Sequence, residues 1–238
     1  MDVKYFSVGH RCTTAQLLLD CGLRCESHPF DWLVSKIDTV EHSLRDNFNE
    51  FLNTSNYEYI ISKVDNIIDN ITINADCPNG LGVYKNKYYD TSQNNTFNEL
   101  KLATYYKDKL FNDDYYKRCV KRFQQLLMSE NNKVFAYIHP IMGINDYTSN
   151  SQILLKKFIN FKNFMDTKTT KLKGKYFIIV KMNTPHFEPY DKYINKDINI
   201  AIYTIYTNNK FLDGGTPFRG KFKKEYNLIK ELFLSSEI

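Results

Sequence analysis

The residues best suited to chemistry lie in the turn between the first predicted strand and the first predicted helix. Residues 3–8 form a short β-branched and aromatic run that ends at Gly9, and Cys12 stands where a helix should begin. The unpaired N–H groups and positive end of a helix favour the thiolate form of such a cysteine, and His10 and Arg11 add positive charge. The same N–H groups could hold an oxyanion beside the sulfur. The pattern therefore indicates either a nucleophilic thiol or a small apolar cysteine packed beneath the helix.

A nucleophilic cysteine requires a base within hydrogen-bond reach and a group that orients this base. Among the five histidines, His139 and His186 each follow a predicted strand, one beginning at residue 133 and the other at residue 176. Both should lie at the carboxyl edge of the sheet, where Cys12 is expected and where open α/β sheets bind their ligands. His139 is the first choice for the base, although the His-Pro and Pro-His pairs could also merely shape loops.

The segment after the first helix carries the remaining polar candidates. Asp31 could orient a histidine, or it could cap the turn and the following helix, as aspartate commonly does. Arg24 could clamp a carboxylate or phosphate, or it could form a plain surface ion pair. His10 and His28 are close to Cys12 in sequence and could bind substrate. The residues expected to bind substrate are Ser7, Gly9, His10, Arg11, Thr13, Arg24, His28 and His186.

Motifs that would identify another reaction are missing from the sequence. It contains no P-loop, GxGxxG, HExxH or GxSxG pattern. Cys21 and Cys25 lie near His10 and His28, but structural zinc uses four converging ligands, usually in pairs with two-residue gaps. We therefore expect no metal and no cofactor. His42 lies in the middle of a predicted helix and is expected at the surface.

Composition and charge limit the class of protein and its partners. Of the 238 residues, 42% are hydrophobic and 15% aromatic, which is enough for a sizeable core and excludes intrinsic disorder. The net charge of +5 is mild, so nucleic acid is not the expected partner. No uncharged apolar run approaches about 18 residues, so we expect no membrane segment. The odd count of five cysteines, without a signal peptide, favours a reducing, cytoplasmic setting.

The alternation of strands and helices predicts the fold class. Strands at 3–8, 133–138, 176–180 and 198–205 alternate with helices at 15–21, 37–52, 115–128, 149–165 and 221–234. Alternation of this kind indicates parallel βαβ units, and thus a single three-layer α/β/α domain over residues 1–238 with a mostly parallel sheet. An irregular Asn-rich insertion, residues 53–100, should interrupt it, with short strands at 57–61 and 82–84. Thr13 or Thr14 is predicted to cap the first helix.

One stretch of the chain resembles the signature of a known family, DUF1796, which carries the label "putative papain-like cysteine peptidase". The similarity is carried by SVGxxCxxAxxL at residues 7–18 and by GLRxxSxPFDWxxS at residues 22–35. It is specific over about residues 3–52 and continues weakly through 116–123 and 134–137. The resemblance implies that Cys12 is the nucleophile. The histidine that many members carry in the middle third has no counterpart in residues 90–99.

Three hypotheses follow for the function. In the first, the chain is a cysteine-dependent hydrolase or acyl transferase that acts on a small-molecule, peptide or glycan substrate. In the second, it is a transferase or binding domain that holds a phosphate or nucleotide-sugar at the same helix N-terminus. In the third, it is a non-catalytic member of the family. The sequence leaves the oligomeric state open.

Overall fold

The computed structural model describes residues 3–9, 12–31, 33–62, 81–91, 100–103, 113–141, 144–169, 174–182, 190–196, 199–206 and 223–235. The strands are β1 (Val3–Ser7), β2 (Leu33–Ser35), β3 (Tyr57–Ser62), β4 (Leu81–Asn86), β5 (Leu100–Ala103), β6 (Asn132–Ile141), β7 (Lys175–Met182), β8 (Tyr190–Asn195) and β9 (Ile200–Tyr206). The helices are α1 (Cys12–Asp20), α2 (Ile37–Arg45), α3 (Asn49–Leu52), α4 (Lys87–Thr91), α5 (Asp113–Leu127), α6 (Ile144–Lys168) and α7 (Lys223–Leu234).

A five-stranded sheet in the order β1-β6-β7-β9-β8 forms the centre of the fold. The first four strands in this order are parallel, and β8 pairs antiparallel with β9 at one edge. The predicted mixed α/β fold with a mostly parallel sheet is thereby confirmed. Its four parallel strands are those expected from the sequence, while β8 was not predicted because its residues alternate little in polarity.

Side chains from the two faces of this sheet enter two separate hydrophobic clusters. Along β6, Phe135 and Tyr137 belong to one cluster, whereas Val134, Ala136 and Ile138 belong to the other, as the period of two in a strand requires. Residues of α2, α3, α5 and α6 complete the first cluster, and residues of α1 and α7 complete the second. Helices therefore cover both faces of the sheet, and the predicted three layers are confirmed.

A second, antiparallel sheet of four short strands has the order β2-β5-β4-β3. Its strands come from residues 33–35, from the Asn-rich part of the chain and from residues 100–103 at the end of that part. The two short strands predicted there are confirmed as β3 and β4, which pair over six residues each. Their pairing with β5, and that of β5 with β2, was not predicted. Strands of three or four residues carry too little periodicity to be recognised before their partners are known.

The single helix predicted at residues 37–52 is wrong, because it is divided into α2 and α3. Asn47 and Phe48 between them have positive φ values of 57° and 63°. This backbone conformation costs a non-glycine residue about 1–2 kcal/mol. It is compensated by packing, since it turns the chain so that Phe48 and Phe51 are both almost completely buried. None of the helices in the described ranges is long and apolar enough to span a membrane.

Candidate active site

The connection between β1 and α1, which we call the Gly9 turn, is built around a glycine that no other residue could replace without strain. Gly9 has a φ of +96°, and an added Cβ would lie only 2.3 Å from Ser35 Oγ. Its N–H donates to Ser7 Oγ at 3.4 Å, and its carbonyl accepts from Thr14 Oγ1 at 3.0 Å. All three of these hydroxyl-bearing residues are fully buried. Side chains from three elements therefore hold the chain just before it reaches Cys12.

Cys12 is the first residue of α1, at the carboxyl end of β1, so the predicted position of this cysteine at a strand-to-helix turn is observed. The N–H groups of a helix's first turn have no intrahelical acceptors, and the first turn of α1 carries no acidic side chain to neutralise its positive end. The predicted cap is wrong, because Thr13 and Thr14 both lie inside the helix. The end of α1 is as predicted, since Gly22 follows it with a φ of +69°.

The backbone places His139 at the same edge of the sheet. Ser7, the last residue of β1, pairs with Ala136 of β6, and His139 lies three residues further along β6. At the rise of a strand this is about 10 Å beyond Ser7. His139 is in register with Val180, and Val180 with Thr204. Cys12 therefore follows β1, whereas His139 lies within the neighbouring parallel strand β6, two residues before that strand ends. The prediction that His139 comes after this strand is wrong, because β6 extends to Ile141.

A buried ion pair closes the segment between α1 and β2. Asp31 Oδ2 accepts from Arg24 Nε at 2.9 Å and lies 2.6 Å from Arg24 Nη2. The same oxygen accepts the backbone N–H of His28 at 2.7 Å. Arg24 Nη2 also donates to Ser27 Oγ at 3.0 Å. The contacts are those of an Asp31 that closes the turn and of an Arg24 that forms an ion pair within the chain. The pair is buried, so the predicted surface position of such an ion pair is wrong.

The carboxyl of Asp31 keeps one oxygen unused. Asp31 is fully buried, and its Oδ1 has no hydrogen-bond partner among the described residues. Burial raises the pKa of Asp31 to about 6, although Arg24, the His28 N–H and Arg122 all act in the opposite direction. The group is therefore ionised at neutral pH and supplies the negative charge that the buried Arg24 requires.

His28 is a buried, neutral imidazole beside the end of β1. Its ring centroid lies 4.9 Å from that of Phe6 and 6.1 Å from that of Phe123, and only 4% of the residue is exposed. Burial, followed by the charges of Arg24 and Arg122, lowers the pKa of His28 to about 4. At neutral pH it can form hydrogen bonds, but it is a poor acceptor of a proton from a thiol.

The other predicted site residues are placed as follows. Cys12, Thr13 and His139 are located by their backbone, and His10, Arg11 and His186 lie outside the described residues. His42 lies on α2, where Tyr88 OH is 3.2 Å from its Nε2 and where it is partly exposed, close to the predicted surface position. Within the described ranges no three histidine, cysteine, aspartate or glutamate side chains gather as metal ligands would.

Two residues near the site were given no role from the sequence. Ser35 at the end of β2 lies against Gly9. In the sequence it was only the last residue of the family-like motif at residues 22–35. Arg122 on α5 acts electrostatically on both His28 and Asp31, and its Nη2 lies 3.2 Å from the sulfur of the buried Cys119. The only sequence signal for this role of Arg122 is the pattern of charged and apolar residues along α5.

A groove of about 860 Å³ runs between α2 and α6, and none of the predicted site residues line it. Lys157 and Asp38 form an ion pair between the two helices, and the Arg45 guanidinium lies 4.2 Å from the centre of the Phe164 ring. The groove is thus a helix–helix surface with paired charges along it, and the predicted site residues lie outside its lining.

Comparison with known families identifies a relationship for most of the chain. The model of a family described as "Putative papain-like cysteine peptidase (DUF1796)" matches residues 3–185 of the 238-residue chain. The match includes the Gly9 turn, the Arg24–Asp31 pair and β6. No curated protein and no solved structure matches the chain.

Proposed function

Because the chain belongs to the family described as "Putative papain-like cysteine peptidase (DUF1796)", we propose that it is a cysteine-dependent hydrolase or acyl transferase whose nucleophile is Cys12. The observation that carries this proposal is the position of Cys12 as the first residue of α1, directly after β1 and the glycine-dependent turn. A helix N-terminus lowers the pKa of a thiol and provides N–H donors next to it.

In the proposed reaction, the Cys12 thiolate attacks the carbonyl carbon of the substrate. The C–S bond forms while the π electrons of the carbonyl move to its oxygen, and N–H groups of the first turn of α1 stabilise this negative oxygen. The intermediate then expels the leaving group, which takes a proton from a histidinium. Water, or another acceptor in acyl transfer, attacks the thioester, returns a proton to the histidine and releases the thiolate.

His139 is proposed as the histidine of this reaction. Its place on β6, the strand next to β1, supports the assignment, because it is at the edge where Cys12 begins α1. His28 is less suited, since its low pKa would make a thiolate–imidazolium pair unfavourable. Asp31 is proposed to act by holding the His28 turn together with Arg24, which its three contacts support.

The test compares the reactivity of Cys12 with that of a solvent-exposed cysteine outside the candidate site. Cys25 is free and exposed, so it serves as the internal reference. The protein is treated at neutral pH with a carbonyl-directed acylating probe, p-nitrophenyl acetate, and the acylated cysteines are identified by mass spectrometry over time. We expect Cys12 to be acylated much faster than Cys25, Cys12→Ala to lose the fast phase, and Cys25→Ala to keep it. His139→Gln should slow the acylation of Cys12 relative to the wild type.

Equal rates at Cys12 and Cys25 would contradict the hydrolase proposal. Protection of Cys12 by inorganic phosphate, without fast acylation in its absence, would instead favour a phosphate-binding transferase that uses the same helix N-terminus.

A further inference from the structure

Ser35, the last residue of β2, carries a hydroxyl whose environment is unusual for a buried polar group. The residue is fully buried, and its Oγ has no hydrogen-bond partner among the described residues. A buried donor without an acceptor is costly, and native proteins contain few of them. A retained group of this kind requires an explanation, and a bound ligand atom is one.

The position of this hydroxyl is defined by Gly9. An ideal Cβ on Gly9 would lie 2.3 Å from Ser35 Oγ, so the hydroxyl occupies the space that any other side chain at residue 9 would take. Gly9 does not satisfy the hydroxyl in this structure: its N–H donates to Ser7 Oγ, and its carbonyl accepts from Thr14 Oγ1 but not from Ser35. The Ser35 hydroxyl therefore has no partner among the described residues, and it lies against Gly9, which is three positions before the first residue of α1.

Another buried serine shows what a purely structural hydroxyl looks like in this protein. Ser43 on α2 is equally buried, but its Oγ donates to the carbonyl of Thr39 at 2.8 Å and shares a hydrogen bond of 2.9 Å with Tyr89 OH. Ser43 is thus satisfied within the fold, whereas Ser35 is not. The Ser43 hydroxyl therefore stabilises the fold, whereas the Ser35 hydroxyl is available to bond a ligand.

We propose that Ser35 Oγ–H donates a hydrogen bond to the carbonyl oxygen of the substrate as this oxygen becomes negative. It would be a side-chain member of the oxyanion site, next to the N–H groups of the first turn of α1. The substrate class is then an acyl compound whose carbonyl oxygen enters between the Gly9 turn and the end of β2. This assignment rests on the proposed function of Cys12.

The experiment uses two reagents that react with the same thiol through different transition states. p-Nitrophenyl acetate is attacked at its carbonyl carbon, so an oxyanion forms, whereas iodoacetamide loses iodide from a saturated carbon and forms none. Both rates depend on the thiolate, so their ratio removes any effect of a changed thiol pKa. The two rates are measured at Cys12 by mass spectrometry in the wild type, in Ser35→Ala and in the control Ser43→Ala.

We expect Ser35→Ala to slow acylation of Cys12 on the order of 100-fold, the effect of losing one oxyanion donor, and to leave alkylation by iodoacetamide unchanged. Ser43→Ala should change neither rate. Melting followed by circular dichroism should give an unchanged or raised Tm for Ser35→Ala and a lowered Tm for Ser43→Ala, since only Ser43 loses partners.

The outcomes separate the two proposals. Slow acylation of wild-type Cys12, no faster than Cys25, would refute the nucleophile and with it the role of Ser35. Fast acylation that Ser35→Ala leaves unaffected, or slows only in parallel with alkylation, would refute Ser35 alone. A Tm lowered as much as in Ser43→Ala would make the hydroxyl structural and would also refute the assignment.

Discussion

Gly9 and Ser35 depend on each other, because the Ser35 hydroxyl fills the space that a side chain at residue 9 would occupy. Gly9→Ala places a methyl group 2.3 Å from Ser35 Oγ and also forces a non-glycine residue into a positive φ. The second effect alone costs about 1–2 kcal/mol. In the Ser35→Ala background the nearest remaining Ser35 atoms are the carbonyl oxygen at 3.1 Å and Cβ at 3.6 Å, so most of the clash is removed.

The prediction is tested by a double-mutant cycle measured by urea denaturation. Gly9→Ala should destabilise the wild type more than it destabilises Ser35→Ala, and the difference should fall in the range of about 0.5–3 kcal/mol found for residues in contact. A difference near zero would mean that backbone conformation alone requires glycine here.

At the scale of elements, α5 supports the turn that carries the site. The Phe123 ring lies 6.0 Å from that of Phe6 on β1, 6.1 Å from His28 and 5.9 Å from Phe30 in the turn. It also lies 6.3 Å from Phe48, which precedes α3. One fully buried side chain thus joins the sheet, the Arg24–Asp31 segment and the broken helix.

Replacement of this ring should therefore be among the costliest single changes. Phe123→Ala is expected to lower the free energy of unfolding by about 3–5 kcal/mol, because a buried phenyl group is lost and a cavity remains. Gln125→Ala, on the exposed side of the same helix, should stay within about 0.5 kcal/mol of the wild type. Chemical denaturation of both variants measures the contrast, and similar values for the two would contradict this role of α5.

At the scale of the whole molecule, His28 makes stability depend on pH. Its pKa is about 4 in the folded protein against 6.5 for the free side chain, so the folded state favours the neutral form. The stabilising contribution of the neutral ring is complete above pH 6.5 and is lost as pH falls from there through about 4. At one pKa unit per 1.36 kcal/mol, the loss amounts to about 3 kcal/mol.

His28→Gln should remove this dependence. The difference in unfolding free energy between wild type and His28→Gln is expected to shift by about 3 kcal/mol in favour of the variant between pH 6.5 and pH 4. Comparing variant with wild type at each pH cancels the contributions of the other titrating groups. Gln125→Ala, which changes no titratable group, should show a constant difference. A constant difference for His28→Gln as well would refute a lowered pKa.

The sequence by itself determined the features that depend on neighbouring residues. The strands β1, β6, β7 and β9 and the helices α1, α5, α6 and α7 were predictable because each has its own hydrophobic period and its own turn residues. The position of Cys12 followed for the same reason, since a strand, a glycine and a helix start are all local signals. Order within the chain also indicated a mostly parallel sheet.

Tertiary structure decided the features that join residues distant in sequence or choose between equal local alternatives. Arg24 and Asp31 each had two plausible roles, and only their burial in the same place makes them partners. The division of α2 from α3 at Phe48 results from packing that overrides helix propensity. Ser35 became part of the candidate site because β2 folds back against Gly9, which is 26 positions earlier in the chain. A contact between residues so far apart depends on tertiary packing, which local sequence patterns do not encode.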